Sequence, residues 1–372
     1  MKDKTYAILL NWNSTEITTA CLQSIYAAGK DAPHVVIVDS GSEETSLQSL
    51  KQWCLDQHDA NDKQEPWFVI YSIDEAESGG VREREEAARR HVPRHITHPL
   101  ILIECRANLG FAAGNNVGTR YALRKGDAQY IWTLNNDTTI EPGTLPELIR
   151  VLDSDPTIGA VQSLLLNFSD PGKVDSCGMR FYRSSSASDD LMGWNAKELL
   201  SRLKSPEPEI FGPCLASTLF AATIFETVGL LDDNYFCIFE AADFGFRLRM
   251  NGWHPRIATR AITYHKRGLS GTKGRPDDDF SDLWVFLKKR NAVALKIKFW
   301  PLSLLIWPPG FFVVAAKSVS HAIRRHALRR TLQVWTAAVK FRLQHRIDRT
   351  GLFDEWADRS LLMENDLTMH RN

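Results

Sequence analysis

The chain has 372 residues, of which 44% are hydrophobic and 24% are charged. This composition excludes a disordered protein, and the length suits one large α/β domain with an appendage or two domains. Lys+Arg and Asp+Glu both number 45, so no net charge draws the chain to nucleic acid. The six cysteines form no Cys-x-x-Cys pair, which argues against a zinc knuckle or a secreted disulfide framework and predicts reduced thiols in the cytosol.

Two apolar strands near the amino terminus end in polar residues. The run Tyr6–Leu10, too short for a signal peptide, is followed by Asn11-Trp12-Asn13-Ser14, and a helix is predicted over Glu16–Ala28. Val35–Val38 is followed by Asp39. A carboxylate at the carboxyl end of a parallel strand lies where α/β sheets bind their ligands, although an ordinary loop aspartate is the alternative.

The segment 57–98 is rich in charge and holds one short apolar run, Trp67–Tyr71. We predict a surface insertion that contains a strand over this run and a helix near Val81–Arg90. Its charges are typical of a solvated face, and they indicate no function.

The next strand, Leu100–Ile103, leads into a loop of small residues between Gly110 and Gly114. A helix near Asn115–Arg124 is predicted to follow. Small residues allow a backbone to approach a ligand closely, and a helix N-terminus attracts phosphate or polar groups. Alone, two glycines at this spacing indicate little, but here they lie between two strands that both end in carboxylates.

A further buried strand, Ile131–Leu134, ends in Asn135, Asn136 and Asp137. A helix is predicted over Leu145–Leu152. Mg²⁺ prefers oxygen ligands and takes one or two carboxylates plus substrate phosphates, so Asp137 is a candidate metal ligand and a plain turn is the alternative. The alternation of strands and helices predicts an α/β fold with a mainly parallel sheet whose loops meet at one edge.

Four motifs, in this order and spacing, resemble those of family-two glycosyltransferases, and more narrowly of the rhamnosyltransferase-like bacterial branch. They are Asn11-Trp-Asn, Val38-Asp-Ser-Gly-Ser, Ala107-Asn-Leu-Gly-Phe-Ala-Ala-Gly-Asn-Asn and Leu134-Asn-Asn-Asp-Thr. The resemblance covers about residues 5–300. It implies an inverting enzyme with the GT-A fold, a Rossmann-like sheet with a nucleotide-binding half and an acceptor-binding half.

The resemblance also implies roles for these motifs. Asp39 and the loop from Asn11 to Asn13 would hold the nucleobase and ribose, and the loop Asn108–Gly114, including Gly110, would close over the nucleotide. Asn135, Asn136 and Asp137 would correspond to the Asp-x-Asp metal motif. Asn replaces Asp at the first position, so Asp137 is then the main carboxylate ligand for Mg²⁺ or Mn²⁺.

The second half contains a predicted helix, Glu240–Met250, with Glu240 and Asp243 on one face near its start. The helix dipole stabilises carboxylates there, which is a sufficient structural reason for them. The functional alternative is a general base that takes the proton from an acceptor hydroxyl. Relatives place the base at the position of Ala241, so this chain departs from the family, and we favour Glu240 over Asp243.

Strands are also predicted over Ala160–Leu166 and Ile257–Thr263, with a loop over Ser184–Asp190. His265 follows the second of these strands. A single histidine is usually structural, but the resemblance implies a metal or diphosphate ligand at this position. Lys266, Arg267 and the loop 268–274 would supply cations and flexibility near the diphosphate.

The tail begins with a predicted helix, Asp282–Lys298, and continues with the uncharged run Phe299–Ala316, which prolines interrupt. Broken helices at a membrane interface fit this pattern better than a spanning helix. The alternative is a soluble helical cap. The surrounding basic residues suit an anionic leaflet, and no nucleic-acid-binding module is recognisable.

We therefore expect residues 1–275 to form the glycosyltransferase domain and residues 276–372 a basic helical region at the inner face of the cell membrane. The predicted activity is transfer of a sugar, with rhamnose as the family-level expectation, from a nucleotide-diphosphate donor to a hydroxyl of a surface glycan or lipid-linked saccharide. Alternatives are a catalytically silent subunit that binds nucleotide or glycan, which Ala241 favours, and a sugar nucleotidyltransferase.

Overall fold

The computed structural model describes residues 4–57, 65–182, 187–267, 277–302, 305, 309–345 and 349–362. Its strands are β1 Thr5–Asn11, β2 His34–Ser40, β3 Phe68–Ser72, β4 Leu100–Cys105, β5 Tyr130–Leu134, β6 Thr138–Ile140, β7 Ala160–Asn167, β8 Val174–Ser176, β9 Met179–Phe181, β10 Ala187–Asp189, β11 Ser217–Ala221 and β12 Arg256–His265.

The helices are α1 Thr15–Tyr26, α2 Glu44–Asp56, α3 Ile73–Glu77, α4 Arg82–Arg89, α5 Gly110–Arg124, α6 Thr144–Leu152, α7 Ala196–Arg202, α8 Ile224–Thr227, α9 Glu240–Met250, α10 Asp277–Phe299, α11 Pro309–Arg324, α12 Leu328–Gln344 and α13 Arg349–Trp356. Strand–helix alternation in the first 152 residues follows the predicted order, and the prediction of an α/β fold is confirmed.

The main sheet has the strand order β3-β4-β2-β1-β5-β11-β7-β12-β6, and β8 pairs with β7 beside it. Every pairing among strands β1 to β5 is parallel. β11 runs antiparallel to both of its neighbours, β5 and β7. The sheet is therefore mixed but mainly parallel in the half where the predicted motifs lie.

Apolar side chains cover both faces of this sheet, which explains why its strands read as continuous apolar runs. Ala7 and Leu9 of β1 face one core cluster, and Tyr6 and Ile8 face the other. The predicted strand of the charged segment 57–98 is β3, which pairs with β4 and forms the edge of the sheet. Trp67 and Tyr71 are fully buried there, so this segment contributes to the core as well as to the surface.

A separate core cluster joins the C-terminal helices to the second half of the chain. Phe181, Phe211 and Phe246 pack in it with Phe299 and Trp300 at the end of α10. The rings of Phe246 and Phe299 stack with their centroids 4.5 Å apart. Helices α12 and α13 add Val334 and Phe353 to the same cluster. The tail is thus packed against α9 through one shared core.

Two local predictions differ from the structure. Helix α5 begins at Gly110, five residues before the predicted start, because Asn108 accepts a hydrogen bond from the Gly110 amide (Oδ1–N distance 2.8 Å) and the chain turns there. The predicted loop over Ser184–Asp190 includes β10, which pairs with β9, while residues 183–186 lie outside the described part. No helix of the described residues is long and apolar enough to cross a bilayer.

Candidate active site

The polar residues predicted to meet at one edge of the sheet do so. In the strand order β2-β1-β5, Asn11 pairs in register with Asp39, and β5 ends beside them at Leu134. The carboxyl ends of these three parallel strands therefore present Asn11, Asp39 and the Asn135–Asp137 turn side by side.

A continuous set of hydrogen bonds connects these side chains. Asn136 Nδ2 donates to Thr18 Oγ1 at 2.8 Å, and the Thr18 hydroxyl donates to Asn11 Oδ1 at 2.7 Å. Asn11 Nδ2 in turn donates to Asp39 Oδ2 at 2.7 Å. Asn136, Thr18, Asn11 and Asp39 are all buried, so this network fixes the edge before any ligand arrives.

Ser42 completes the network on the side of β2. Its hydroxyl donates to Asp39 Oδ2 at 2.7 Å and its amide to Oδ1 at 3.0 Å, while the Asn13 amide donates to the Ser42 hydroxyl at 2.9 Å. Asp39 therefore orders both the Asn11–Asn13 loop and the loop after β2. Thr18 and Ser42 were not predicted as site residues; Ser42 lies in a quoted motif, whereas Thr18 sits in an ordinary helical pattern.

The loop that follows β4 packs tightly against the loop after β2. The Leu109 amide donates to Ser40 Oγ at 3.0 Å. Gly41 has a φ of +70°, and a Cβ there would lie 2.5 Å from the carbonyl carbon of Ala107. Only glycine fits this contact, so Gly41 brings the two loops together.

Gly110 and Gly114 serve different contacts. A Cβ on Gly110, which has a φ of +78°, would lie 2.5 Å from the ring of Phe236. Gly114 lies against the side chain of Leu10 on β1, and this contact seats α5 on the sheet. Gly110 therefore lies at a junction with the second half of the chain, and Gly114 has a packing role that needs no ligand.

Asp137 and His265 come together through the pairing of β6 with β12. Thr138 pairs with His265 in this antiparallel ladder, and the Lys266 amide donates to the Asp137 carbonyl at 2.8 Å. His265 Nε2 lies 3.1 Å from Asp137 Oδ1. Both side chains are buried. Residues 128 positions apart thus form one pair at the edge of the sheet.

A second carboxylate holds the other face of the imidazole. His265 Nδ1 lies 2.8 Å from Asp175 Oδ2, and Arg267 Nε donates to Asp175 Oδ1 at 2.5 Å. Arg267 also donates to Asp189 Oδ2 at 2.7 Å. Burial disfavours the charged imidazole, but the hydrogen bonds and charges of Asp137 and Asp175 outweigh it and raise the pKa of His265 to about 9. Burial acts against the charged form of Asp175 too, yet the bonds from His265 and Arg267 keep its pKa below the usual range.

Asp137 and His265 fit a divalent cation that a substrate would share. Metal-bound histidines usually donate their other ring N–H to a carboxylate, and Asp175 is placed to accept it. Mg²⁺ sites of transferases need few protein ligands because phosphates supply the rest. The described residues contain no group of three or more His, Cys, Asp or Glu side chains able to hold a metal by themselves.

Glu240 and Asp243, three residues apart on α9, have different surroundings. Asp243 is fully buried and bonded to two cations: Lys298 Nζ donates to its Oδ1 at 2.5 Å and Arg247 Nε to its Oδ2 at 2.7 Å. Glu240 is buried as well, but its Oε2 has no hydrogen-bond partner among the described residues. Burial, with a smaller contribution from Asp243, raises the pKa of Glu240 to about 7.

The remaining candidates are placed as follows. Ala241, at the position where the family resemblance implies a base, is half-buried beside the apolar cluster of Phe220 and Phe244. Asn135 donates its amide to the Ala216 carbonyl at 2.9 Å. The loop 268–274 lies outside the described residues. Asp175 and Asp189 were missed because no motif marks them; they lie on short strands far along the chain from Asp137.

Comparisons with known proteins point to glycosyltransferases. Residues 78–198 match the model of the glycosyl transferase family 2. The low-salt glycan biosynthesis hexosyltransferase Agl10 of Haloferax volcanii is 22% identical over 330 residues, which are 84% of this chain and 85% of that protein.

Among solved structures, the chain resembles GalNAc-T7 with UDP, GalNAc and Mn²⁺, with a TM-score of 0.54 and 9% identity. The match covers 89% of this chain and 56% of that one, so the chain spans little more than half of that structure. At this identity the likeness concerns the fold alone. Together with the strand-edge motifs, these matches support a family-2 glycosyltransferase: residues 78–198 match the model of that family, and the chain shares the GT-A fold of solved glycosyltransferases.

Proposed function

We propose that the chain is a metal-dependent, inverting hexosyltransferase that moves a sugar from a nucleoside diphosphate to a hydroxyl of a glycan or lipid-linked saccharide. The pairing of Asp137 with His265 at 3.1 Å, at the carboxyl edge of the sheet, carries this proposal. GalNAc-T7 was solved with UDP and Mn²⁺, which supports a nucleotide-linked donor and a divalent cation. Nucleotide-linked rhamnose remains one of the donors to test.

Asp137 and His265 would hold Mg²⁺ or Mn²⁺ together with the diphosphate. When bound, the cation neutralises the negative charge that develops on the leaving diphosphate. Asp175 orients the imidazole of His265, and Arg267 holds Asp175 in place. Lys266 and Arg267 follow directly on the chain and would bring two cations close to the diphosphate.

The nucleoside would lie against the network around Asp39. Both carboxylate oxygens of Asp39 already accept bonds, which Asn11 and Ser42 donate, so this residue would shape the nucleoside site through its neighbours. Asn13, Asn108 and Gly110 belong to the adjoining loops and would border the same site. A preformed wall of this kind lowers the entropy that donor binding must overcome.

Glu240 would act as the general base for the acceptor hydroxyl. Its Oε2 lacks a hydrogen-bond partner among the described residues, and its pKa of about 7 suits proton transfer near neutral pH. Asp243 is less suited because both of its oxygens are held by cations. The hydroxyl oxygen would attack the anomeric carbon, its proton would pass to Glu240, and the nucleoside diphosphate would leave.

The C-terminal helices would place the enzyme on an anionic membrane surface. Residues 283–347 contain thirteen Lys and Arg and no Asp or Glu. On α12, Leu328, Leu332, Val339 and Leu343 are exposed at helical spacing, and Arg329 and Lys340 are exposed beside them. An apolar stripe flanked by cations is typical of a helix that lies in a lipid interface. We propose the inner face of the cell membrane as its location and a membrane-borne saccharide as the acceptor.

A catalytically silent subunit is the second candidate, since Ala241 replaces the base found in relatives. The buried Glu240 carboxylate one residue earlier supports catalysis instead. The family match favours a glycosyltransferase over a sugar nucleotidyltransferase.

Thermal unfolding with a panel of donors tests the proposal. UDP-GalNAc, UDP-glucose, GDP-mannose and nucleotide-linked rhamnose would each be added with and without Mn²⁺. A donor at a hundred times its Kd adds about 2.7 kcal/mol to the free energy of unfolding. We expect one donor to raise the Tm only when Mn²⁺ is present.

The Asp137→Asn variant should lose this metal-dependent rise in Tm, because the amide cannot provide the carboxylate ligand. Asp170→Asn, on an exposed turn, is the matched control and should keep it. An undiminished metal-dependent shift in Asp137→Asn would contradict the metal assignment. Binding of a donor without release of nucleoside diphosphate over a range of acceptors would support the silent subunit.

A further inference from the structure

The segment just before Glu240 has an unusual backbone. Phe236, Ile238 and Phe239 have φ values of +66°, +69° and +78°, and none of them is glycine. Residues with large side chains adopt such angles only where surrounding contacts impose them, and such positions cluster at functional sites. Phe239 is also the residue that precedes the first turn of α9, so the conformation of this segment determines where Glu240 lies.

Two consecutive residues of α10 hold the segment. Asn291 Nδ2 lies within hydrogen-bond distance of the carbonyl oxygens of Tyr235, Cys237 and Ile238, at 2.9, 2.8 and 2.8 Å. Arg290 Nη2 donates to the carbonyls of Asn234 and Tyr235 at 2.9 and 2.8 Å. Five contacts from two side chains thus hold four carbonyl groups of one short loop.

The two side chains also order each other. Arg290 Nε donates to Asn291 Oδ1 at 2.8 Å, which orients the amide so that its N–H groups point at the loop. Both residues are fully buried. A buried guanidinium and a buried amide are costly to leave unpaired, so their position in the core reflects the carbonyls that they bind.

The opposite side of the segment contacts the predicted nucleotide loop. The Ala112 amide donates to the Phe236 carbonyl at 3.1 Å. The ring of Phe236 occupies the space beside Gly110 that a Cβ would need. The segment 234–239 therefore lies between α10 on one side and the first turn of α5 on the other.

We propose that Arg290 and Asn291 are positioning residues of the transferase: from the C-terminal helical region, they hold the 234–239 segment so that Glu240 and the nucleotide loop are in their working arrangement. Neither residue touches the reacting atoms. The inference rests on the proposed function, because it assigns the activity to Glu240. It makes α10 a part of the active-site scaffold, not an appendage to it.

Asn291→Leu tests the proposal because it keeps the volume and removes the hydrogen bonds. Release of nucleoside diphosphate from the donors of the thermal panel, with Mn²⁺, would be measured as kcat and KM against pH. We expect kcat to fall at least tenfold. We also expect the acidic limb of the kcat profile to move to lower pH, because a loosened segment lets water reach Glu240. The charged and titratable groups that act on Glu240 or its neighbourhood are Asp243 on α9, Cys237 in the segment and Arg290 on α10.

Asn251→Leu is the matched control. Asn251 Nδ2 donates to the Arg247 carbonyl at 2.8 Å, at the other end of the same helix. This variant should lose stability without a change in kcat or in the acidic limb. Asn291→Gln keeps the amide and should recover part of the activity; Arg290→Lys, which keeps the charge and loses the planar fork, should lie between Asn291→Leu and the wild type.

The double variant Glu240→Gln/Asn291→Leu tests the positioning role of Asn291 separately from the assignment of Glu240 as the base. If Asn291 acts through Glu240, Asn291→Leu should lower kcat little further in that background. Full activity of Glu240→Gln alone would refute the base assignment. The positioning role alone would be refuted by two results together. Glu240→Gln would be impaired, and Asn291→Leu would have the same kcat and the same acidic limb as Asn251→Leu. If Asn291→Leu does not fold, the other two variants test the positioning role. It would be refuted if Arg290→Lys and Asn291→Gln both had the kcat and the acidic limb of the wild type.

Discussion

At the scale of single residues, the two acidic side chains of α9 differ in their hydrogen-bond partners. Asp243 is bound by Lys298 and Arg247, and Lys298 also donates to Asp232 Oδ2 at 2.8 Å. These contacts tie α9 to α10. Among the described residues, Glu240 Oε2 has no hydrogen-bond partner. Asp243 therefore has both oxygens paired with cations, whereas Glu240 keeps one oxygen without such a partner.

Substitution of each acid by its amide should separate these roles. Glu240→Gln should lower kcat by about 10²–10⁴-fold, the usual contribution of a general base, with little change in donor affinity. Asp243→Asn should instead lower the free energy of unfolding by about 3–5 kcal/mol, because it leaves buried cations uncompensated. Steady-state kinetics and urea unfolding measure the two effects, and a greater loss of kcat in a folded Asp243→Asn would move the base to Asp243.

We also expect kcat to fall at acidic pH. A general base works only when it is ionised, and burial raises the pKa of Glu240 to about 7. As the pH falls through 7, Glu240 takes up a proton and kcat should decrease tenfold per pH unit. The Glu240→Gln variant should lack this acidic limb. A profile that stays flat down to pH 5 in the wild type would count against Glu240 as the base.

Sequence reasoning reached the pair Asp137 and His265 but not Asp175. Asp137 follows a strand and belongs to a motif, so its place at the sheet edge was predictable. Asp175 lies on the three-residue strand β8, which joins the sheet only through β7. In the sequence, no local pattern distinguishes it from aspartates of the surface, although it is buried in the structure. Contacts that depend on such long-range pairing are not visible in one sequence.

At the scale of elements, the start of α5 shows where pattern and backbone diverge. The small residues Gly110–Gly114 read as a loop because glycine disfavours helices. The chain nevertheless begins its helix at Gly110, where a left-handed residue and the Asn108 side chain turn it out of β4. The strands, by contrast, were predicted to within a few residues, since burial on both faces gives them unbroken apolar runs.

Gly110→Ala should weaken donor binding. The new methyl group would collide with Phe236, and the φ of +78° would be strained. Gly126→Ala is the matched control: its φ is +72°, but nothing lies within 4 Å of the added Cβ. Both should lose about 1–3 kcal/mol of stability from the backbone, and only Gly110→Ala should raise the donor Kd. Equal donor affinities, measured by calorimetry, would show that this junction does not matter for binding.

At the scale of the whole molecule, charge is segregated although the total is zero. The acid-free stretch 283–347 concentrates cations on helices that share a core with Phe181 and Phe246. Helix α9, on the amino-terminal side of residue 275, therefore packs on α10, which lies beyond that position. The sequence indicated the basic tail, but it could not indicate this shared core, because aromatic residues far apart in the chain build it.

Sedimentation with lipid vesicles tests the membrane proposal. Binding to vesicles with 30% phosphatidylserine should exceed binding to neutral vesicles and should weaken with salt, since each cation near the surface contributes about 1 kcal/mol. Leu332→Glu/Leu343→Glu should release the protein from the vesicles. Leu55→Glu/Leu200→Glu is the control, since these leucines are 42% and 44% exposed on α2 and α7 and the charge change is the same. Equal binding of both double variants would refute the proposed surface.

The antiparallel strand β11 has a consequence for the order in which the protein can be made. β11 separates β5 from β7, so Ala160–Val161 can take their place in the sheet only after Leu219 and Phe220 have been synthesised. Until then, β7 has no partner strand on that side. At a synthesis rate of roughly 5–20 residues per second, its apolar residues stay unpaired there for several seconds. The parallel half can assemble first, and with it the hydrogen-bond network around Asp39. The segment 234–239 can take its final conformation only later, once Arg290 and Asn291 of α10 have emerged.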